Sequence, residues 1–160
     1  MKKRNSIQNI CMCSVIAAIY VILTGISASL GISSGVIQVR ISESLCILPI
    51  FTSVAIPGLT IGCLISNLIT GAVLPDVIFG TFATFIGAIG TYFFRKNKPL
   101  AFIMPIFSNT VIIPLVLKFA YQIKDAYWFL MLTIFIGECL SIGVLGILLY
   151  KALLKRKYIF

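Results

Sequence analysis

The sequence predicts an all-α integral membrane protein: a bundle of six transmembrane helices with both termini on the cytoplasmic side. Three observations carry this. Apolar residues make up 60% of the chain and mean hydropathy is +1.12, well beyond a soluble domain. Apolar runs follow one another with short polar breaks, and 160 residues hold about six spans at roughly 20 residues each. The basic residues gather at Lys2–Lys3–Arg4, Arg95–Lys96–Lys98 and Lys151–Lys155–Arg156–Lys157, each bordering an apolar run. The positive-inside rule places all three clusters in the cytoplasm, which requires an even number of spans.

The first span is expected over Ile7–Leu30. Its apolar run is too long for a signal peptide and lacks a small-residue cleavage site, so it reads as a retained helix. An outside loop, Gly31–Gly35, leads to a short second span, Ile37–Phe51. That segment carries Gln38, Arg40, Ser42, Glu43 and Ser44 in its first turns. A lipid-facing helix cannot carry them, whereas one lining a polar cavity can. A tight inside turn near Ser53 leads to a third span, Ile56–Thr70, and Pro75–Asp76 marks the next outside turn. The fourth span is expected over Val77–Phe94, ending at the basic loop. The fifth begins after Pro99 and reaches Tyr121, leaving Lys124 and Asp125 outside. The sixth covers Tyr127–Tyr150. One transmembrane domain, 1–160, accounts for the chain, with no internal repeat that aligns.

Several function classes recede on composition. The net charge of +9 comes from the clusters that orient the spans, so no nucleic acid is expected. There is no G-x-x-x-x-G-K-[ST] loop, so the chain does not hydrolyse ATP. With no histidine, the commonest general base and metal ligand is missing, which argues against a hydrolase or metalloenzyme. The five cysteines, Cys11, Cys13, Cys46, Cys63 and Cys139, show no zinc-like pairing and read as small apolar side chains. No metal, cofactor or catalytic residue is expected.

The four acidic residues are Glu43, Asp76, Asp125 and Glu138. Glu43 and Glu138 fall within apolar runs, where an ionised carboxylate costs at least ~2.5 kcal/mol at the bilayer centre without a partner. At ~1.5 Å per residue, Glu43 lies about 9 Å into the second span and Glu138 about 17 Å into the sixth. Asn67 sits about one turn from the end of the third span and Asn109 near the middle of the fifth. Groups on four helices at similar depth imply one interior space. The plainer readings are an i,i+3 pair of Glu43 with Arg40, and an Asn109 that satisfies carbonyls freed by Pro105 and Pro114. Phe51, Phe79, Tyr92, Tyr121, Tyr127 and Trp128 mostly mark span ends, as interfacial anchors do. Trp128 and Tyr127, near the outside end of the sixth span, can alternatively stack on a planar ligand.

Small residues recur at Gly58, Gly62, Ser66 and Thr70, and at Ala83, Gly87 and Thr91, which suits close helix packing. Cys13–Ala17 and Ser14–Ala18 repeat the spacing in the first span, where a separate membrane subunit can dock instead. A small bundle with an outward cavity and no ATPase motif suggests a binding subunit that works with others.

Residues 37–88 resemble the QueT family of queuosine-precursor transporters, the substrate-binding (S) components of energy-coupling factor transporters. The runs QVRISESL and NLITGAVLPDVIFG carry the resemblance. The resemblance implies an S component in the cell membrane, a bacterial plasma membrane, that binds a micronutrient outside. It then joins a transmembrane coupling protein and two ATPase subunits and topples to release its substrate inside. The implied ligand is a 7-deazaguanine: the 7-cyano form, the 7-aminomethyl form or queuine. Candidate ligand residues are Glu43, Glu138, Asn67, Asn109, Arg40, Gln38, Asp76 and Trp128. The implied docking residues are Cys13, Ser14, Ala17 and Ala18. Two carboxylates suit a guanine-like edge and an aminomethyl ammonium, since charge-assisted hydrogen bonds are strong. The alternatives are an S component for another micronutrient, a small membrane enzyme using the glutamates as acid and base, or a structural membrane subunit without a ligand.

Overall fold

A computed structural model of the chain describes residues 5–33 and 38–155. The Lys2–Lys3–Arg4 cluster, Arg156 and Lys157, the end of the Gly31–Gly35 loop, and the expected start of the second span at Ile37 lie outside the described residues. Helix α1 spans Ser6–Ser29, α2 Ala55–Ile69, α3 Leu74–Phe93, α4 Lys98–Phe119, α5 Tyr127–Glu138 and α6 Ile147–Leu154. A 3-10 helix, Ile41–Ile50, lies between α1 and α2, and a π-helical stretch, Cys139–Gly146, joins α5 to α6. Tyr127–Leu154 thus forms one 28-residue rod with a widened middle.

The expected helical segments occur in the expected order, but they are unequal. Four are long and apolar enough to cross a membrane: α1, α3, α4 and the α5–α6 rod. The 3-10 helix and α2 are shorter. Pro75 and Asp76 belong to the first turn of α3 rather than to the turn before it. Proline suits that position because its missing N–H is one that a helix start leaves unpaired, and an acidic side chain there favours the helix dipole. Pro99 likewise sits in the first turn of α4.

The second segment departs furthest from expectation. It is a ten-residue 3-10 helix, and every residue from Ser42 to Ile50 is buried. Runs of 3-10 helix beyond three or four residues are uncommon, so tertiary packing maintains this one. Part of that support is polar. The Ile41 amide donates to Ser27 Oγ at 3.0 Å, and Thr24 Oγ1 lies 2.9 Å from Ser42 Oγ.

Small residues set the helix contacts. A Cβ on Gly62 would stand 2.8 Å from Tyr20 Cβ and 3.1 Å from Ala17 Cα, so α1 lies directly on α2. A Cβ on Gly87 would stand 2.8 Å from Pro105 Cα, which brings α3 equally close to α4. Pro105 cannot donate to the Ala101 carbonyl one turn back, and Thr91 Oγ1 donates to that oxygen at 3.0 Å instead. The outer surface is apolar: Ile19, Ile22, Phe82, Phe107 and Phe135 are all exposed, as a lipid-facing belt requires. Helix α1 is the most peripheral span, with 28% of its most apolar stretch buried against 56% for α4.

Candidate functional site

Polar side chains converge where the 3-10 helix meets α4 and the end of α5. Glu43, Asn109 and Glu138 are all buried there. Asn109 Nδ2 donates to Glu138 Oε1 at 2.9 Å and to Glu43 Oε2 at 3.3 Å. Asn109 is therefore bound to the two carboxylates rather than to carbonyls freed by the prolines.

The two glutamates are not equivalent. Glu43 also accepts from Tyr20 Oη at 2.5 Å on Oε1 and from Cys46 Sγ at 3.1 Å on Oε2. Both of its oxygens are engaged, and its hydrogen-bond donors come from three elements. Among the described residues Glu138 has only the Asn109 bond, and its Oε2 is buried with no hydrogen-bond partner. Arg40, at the start of the 3-10 helix, lies within electrostatic reach of Asp76 and Glu43.

A cavity of about 10 Å³ opens at this cluster, lined by Gln38, Arg40, Glu43, Asn109 and Glu138 on one side and by Gly80 and Thr84 of α3 on the other. That is room for about one water. Next to it is a second polar group. Asp76 is 5% exposed, and its Oδ2 accepts from Tyr121 Oη at 3.0 Å. Its Oδ1 is buried without a hydrogen-bond partner among the described residues. Burial, then the Asp76 carboxylate, raises the Tyr121 phenol above its usual value, so it remains a donor at physiological pH. A Cβ on Gly80 would stand 3.2 Å from Asn67 Nδ2 and 3.3 Å from Asp76 Oδ1. Asn67 and Asp76 therefore both border the bare backbone of Gly80.

The structure brings Gln38, Arg40, Glu43, Asn109 and Glu138 to one cavity, with Asn67 and Asp76 adjoining it across Gly80. It does not bring Trp128 there. That ring is 76% exposed and packs edge-on against Tyr127 with centroids 5.8 Å apart, a surface position away from the cavity. Sequence reasoning missed Tyr20, Cys46, Gly80 and Thr84. Tyr20 carried a signal: its hydroxyl lies mid-way along an apolar span, where interfacial anchoring does not apply. Cys46 and Cys63 read as apolar filler, yet Cys46 donates to Glu43, and Cys63 Sγ accepts from Thr84 at 3.3 Å.

The four small residues of α1 separate into two pairs. Ala17 is buried against Gly62, and the Cys13 carbonyl would stand 3.0 Å from a Cβ on Gly58. These two face α2, which corrects their place on an outer docking face. Ser14 and Ala18 are exposed. They continue a stripe of mostly small residues that also holds Cys11, Val21, Gly25 and Ala28, and all of it but half-buried Val21 is exposed.

The QueT transporter family matches the chain over residues 10–155. The Queuosine precursor transporter QueT of Lactococcus lactis subsp. cremoris (strain MG1363) is 36% identical over 97 residues, covering 60% of this chain. The match spans 57% of that relative's length. No solved structure matches the chain.

Proposed function

We propose, from the premise that this chain belongs to the QueT transporter family, that it is the substrate-binding subunit of an energy-coupling factor transporter importing a 7-deazaguanine queuosine precursor. Transport and a multi-pass membrane location follow from the family and from the apolar spans. The observation that carries the finer reading is the buried Glu43–Asn109–Glu138 cluster at a polar cavity, with one carboxylate oxygen unpartnered. A buried acceptor left unpaired is costly, and a ligand N–H offsets that cost. A planar base with several N–H donors suits such a site, and its polar character excludes a purely apolar cargo. A cavity of about 10 Å³ is far smaller than a bicyclic base, so binding requires the lining chains to separate.

In this reading Ser14, Ala18, Gly25 and Ala28 form the face that meets a membrane coupling protein, because small side chains let helices approach closely in lipid. Two ATPase subunits supply the energy that a chain without a phosphate-binding loop lacks. Both termini and the Arg95–Lys98 turn lie in the cytoplasm.

The deciding experiment is a titration of the purified chain with the 7-cyano base, the 7-aminomethyl base and queuine, followed by thermal shift. Saturable binding of at least one, without ATPase activity, is expected. Binding of none would sink the assignment. Orientation is checked separately. A cysteine at Asn97 is expected to label only from the cytoplasm and one at Lys124 only from outside, and the reverse pattern would overturn the topology.

A further inference from the structure

Among the described residues, two buried carboxylate oxygens at this site have no hydrogen-bond partner: Glu138 Oε2, whose residue lines the cavity, and Asp76 Oδ1, beside the cavity's Gly80. In each case the other oxygen is held in place, Asp76 Oδ2 by Tyr121 at 3.0 Å and Glu138 Oε1 by Asn109 at 2.9 Å. Each carboxylate is thus fixed in orientation and presents one open acceptor. Glu43 is the opposite case, since internal donors engage both of its oxygens.

The surroundings of the two open oxygens differ. Asp76 Oδ1 has a neighbouring donor, Asn67 Nδ2, and both border the space that a Gly80 side chain would fill. An acceptor and a donor side by side match a base edge that carries an N–H next to a ring carbonyl. Asn67 Nδ2 has only the weak acceptor Cys63 Sγ, at 3.6 Å, so it has hydrogen-bonding capacity to spare. Glu138 Oε2 has no such paired donor. Glu43 stands behind Asn109, and Arg40 lines the same cavity and offsets part of the two carboxylates' charge, so this end offers an open acceptor to a donating substituent.

We infer that Asp76 and Asn67, exposed by the absence of a side chain at Gly80, read the guanine-like edge common to all 7-deazaguanines, and that Glu138 Oε2 reads the substituent at position 7. Glu43 holds Asn109 and the 3-10 helix in place and does not touch the ligand. This rests on the proposed function and assigns the ligand its orientation. Gly80 becomes a specificity-determining position, because one methyl group there fills the space between the two edge-reading groups.

The test uses the full chain in detergent, with the 7-aminomethyl and 7-cyano bases measured in direct competition. Glu138→Gln removes charge at the substituent end alone. It is expected to lower the aminomethyl-to-cyano affinity ratio by about tenfold, the scale of one charge-assisted hydrogen bond. Asp76→Asn is expected to weaken both bases by about tenfold and leave the ratio unchanged. Gly80→Ala blocks the same edge without altering charge. It is expected to weaken both bases equally, with affinities read well below the variant's own melting temperature because the methyl crowds Asn67 and Asp76, and it covers the case where Asp76→Asn fails to fold. Equal weakening of both bases by Glu138→Gln, or a changed ratio in Asp76→Asn or Gly80→Ala, would overturn the orientation while leaving the transporter assignment standing. Failure of the unmodified chain to bind either base would remove the assignment and the orientation together.

Discussion

Helix α1 and the 3-10 helix Ile41–Ile50 lie side by side and solve opposite problems. Three polar contacts join them: Tyr20 to Glu43, Thr24 to Ser42, and Ser27 to the Ile41 amide. Yet α1 turns Ile19, Ile22 and Ile26 outward, while the 3-10 helix is buried from Ser42 to Ile50. Where lipid is the neighbour, the chain offers apolar and small side chains. Where lipid is excluded, it places a carboxylate and provides hydrogen-bond donors for it. Tyr20, Thr24 and Ser27 follow helical spacing on one side of α1, so one helix serves both environments at once.

The largest effect that separates the two faces of α1 is expected at Ala17. Ala17→Trp drives a ring into Gly62, and overpacking of this kind costs ~1–3 kcal/mol or more. Binding, melting temperature and uptake are all expected to fall. Its neighbour Ala18 is exposed, so Ala18→Trp is expected to abolish uptake by the complete transporter while ligand affinity of the lone subunit persists. If the two variants behave alike, the division of α1 into an inner and an outer face is wrong.

Glu43→Gln comes next. It leaves Cys46 and Asn109 facing a group that no longer accepts equally, so a loss of ~1–3 kcal/mol in stability is expected. Affinity is expected to decline with it, through displaced Asn109. Unchanged denaturation alongside weaker binding would instead make Glu43 a direct ligand group. Tyr20→Phe is smaller, deleting one hydrogen bond for ~1.5 kcal/mol. In a double-mutant cycle with Glu43→Gln its effect on melting is expected to disappear, and full additivity would show that Tyr20 acts elsewhere. Thr24→Val is the smallest, at about 1 kcal/mol or less, and is read by the same melting experiment.

The helices were legible because lipid imposes a coarse rule, a sustained apolar run. The described ends of α1, α2 and α4 lie close to the expected ones, and the α5–α6 rod starts at the expected Tyr127 and runs on past Tyr150 to Leu154. The 3-10 winding of Ile41–Ile50 was not legible, since burial on all sides overrides local preference and leaves no periodicity to read. At the site, Glu43, Asn109 and Glu138 were legible because a polar group in an apolar run is expensive wherever it points. Gly80 was not, because its contribution is an absent side chain, visible only once Asn67 and Asp76 are seen beside it. Ala17 and Ala18 differ by one position, and only the packing of α2 reveals which of them faces inward.

Gly137, the residue before Glu138, has a consequence for how this chain can vary over generations. The Gln38 carbonyl occupies the place where a side chain at position 137 would begin. No rotamer change relieves that overlap, because the obstacle is main chain. A saturation library selected for uptake should therefore tolerate many residues on the outer stripe of α1 and return only glycine at 137. The inherited freedom of the molecule lies at its rim, and a position beside its central carboxylate has none.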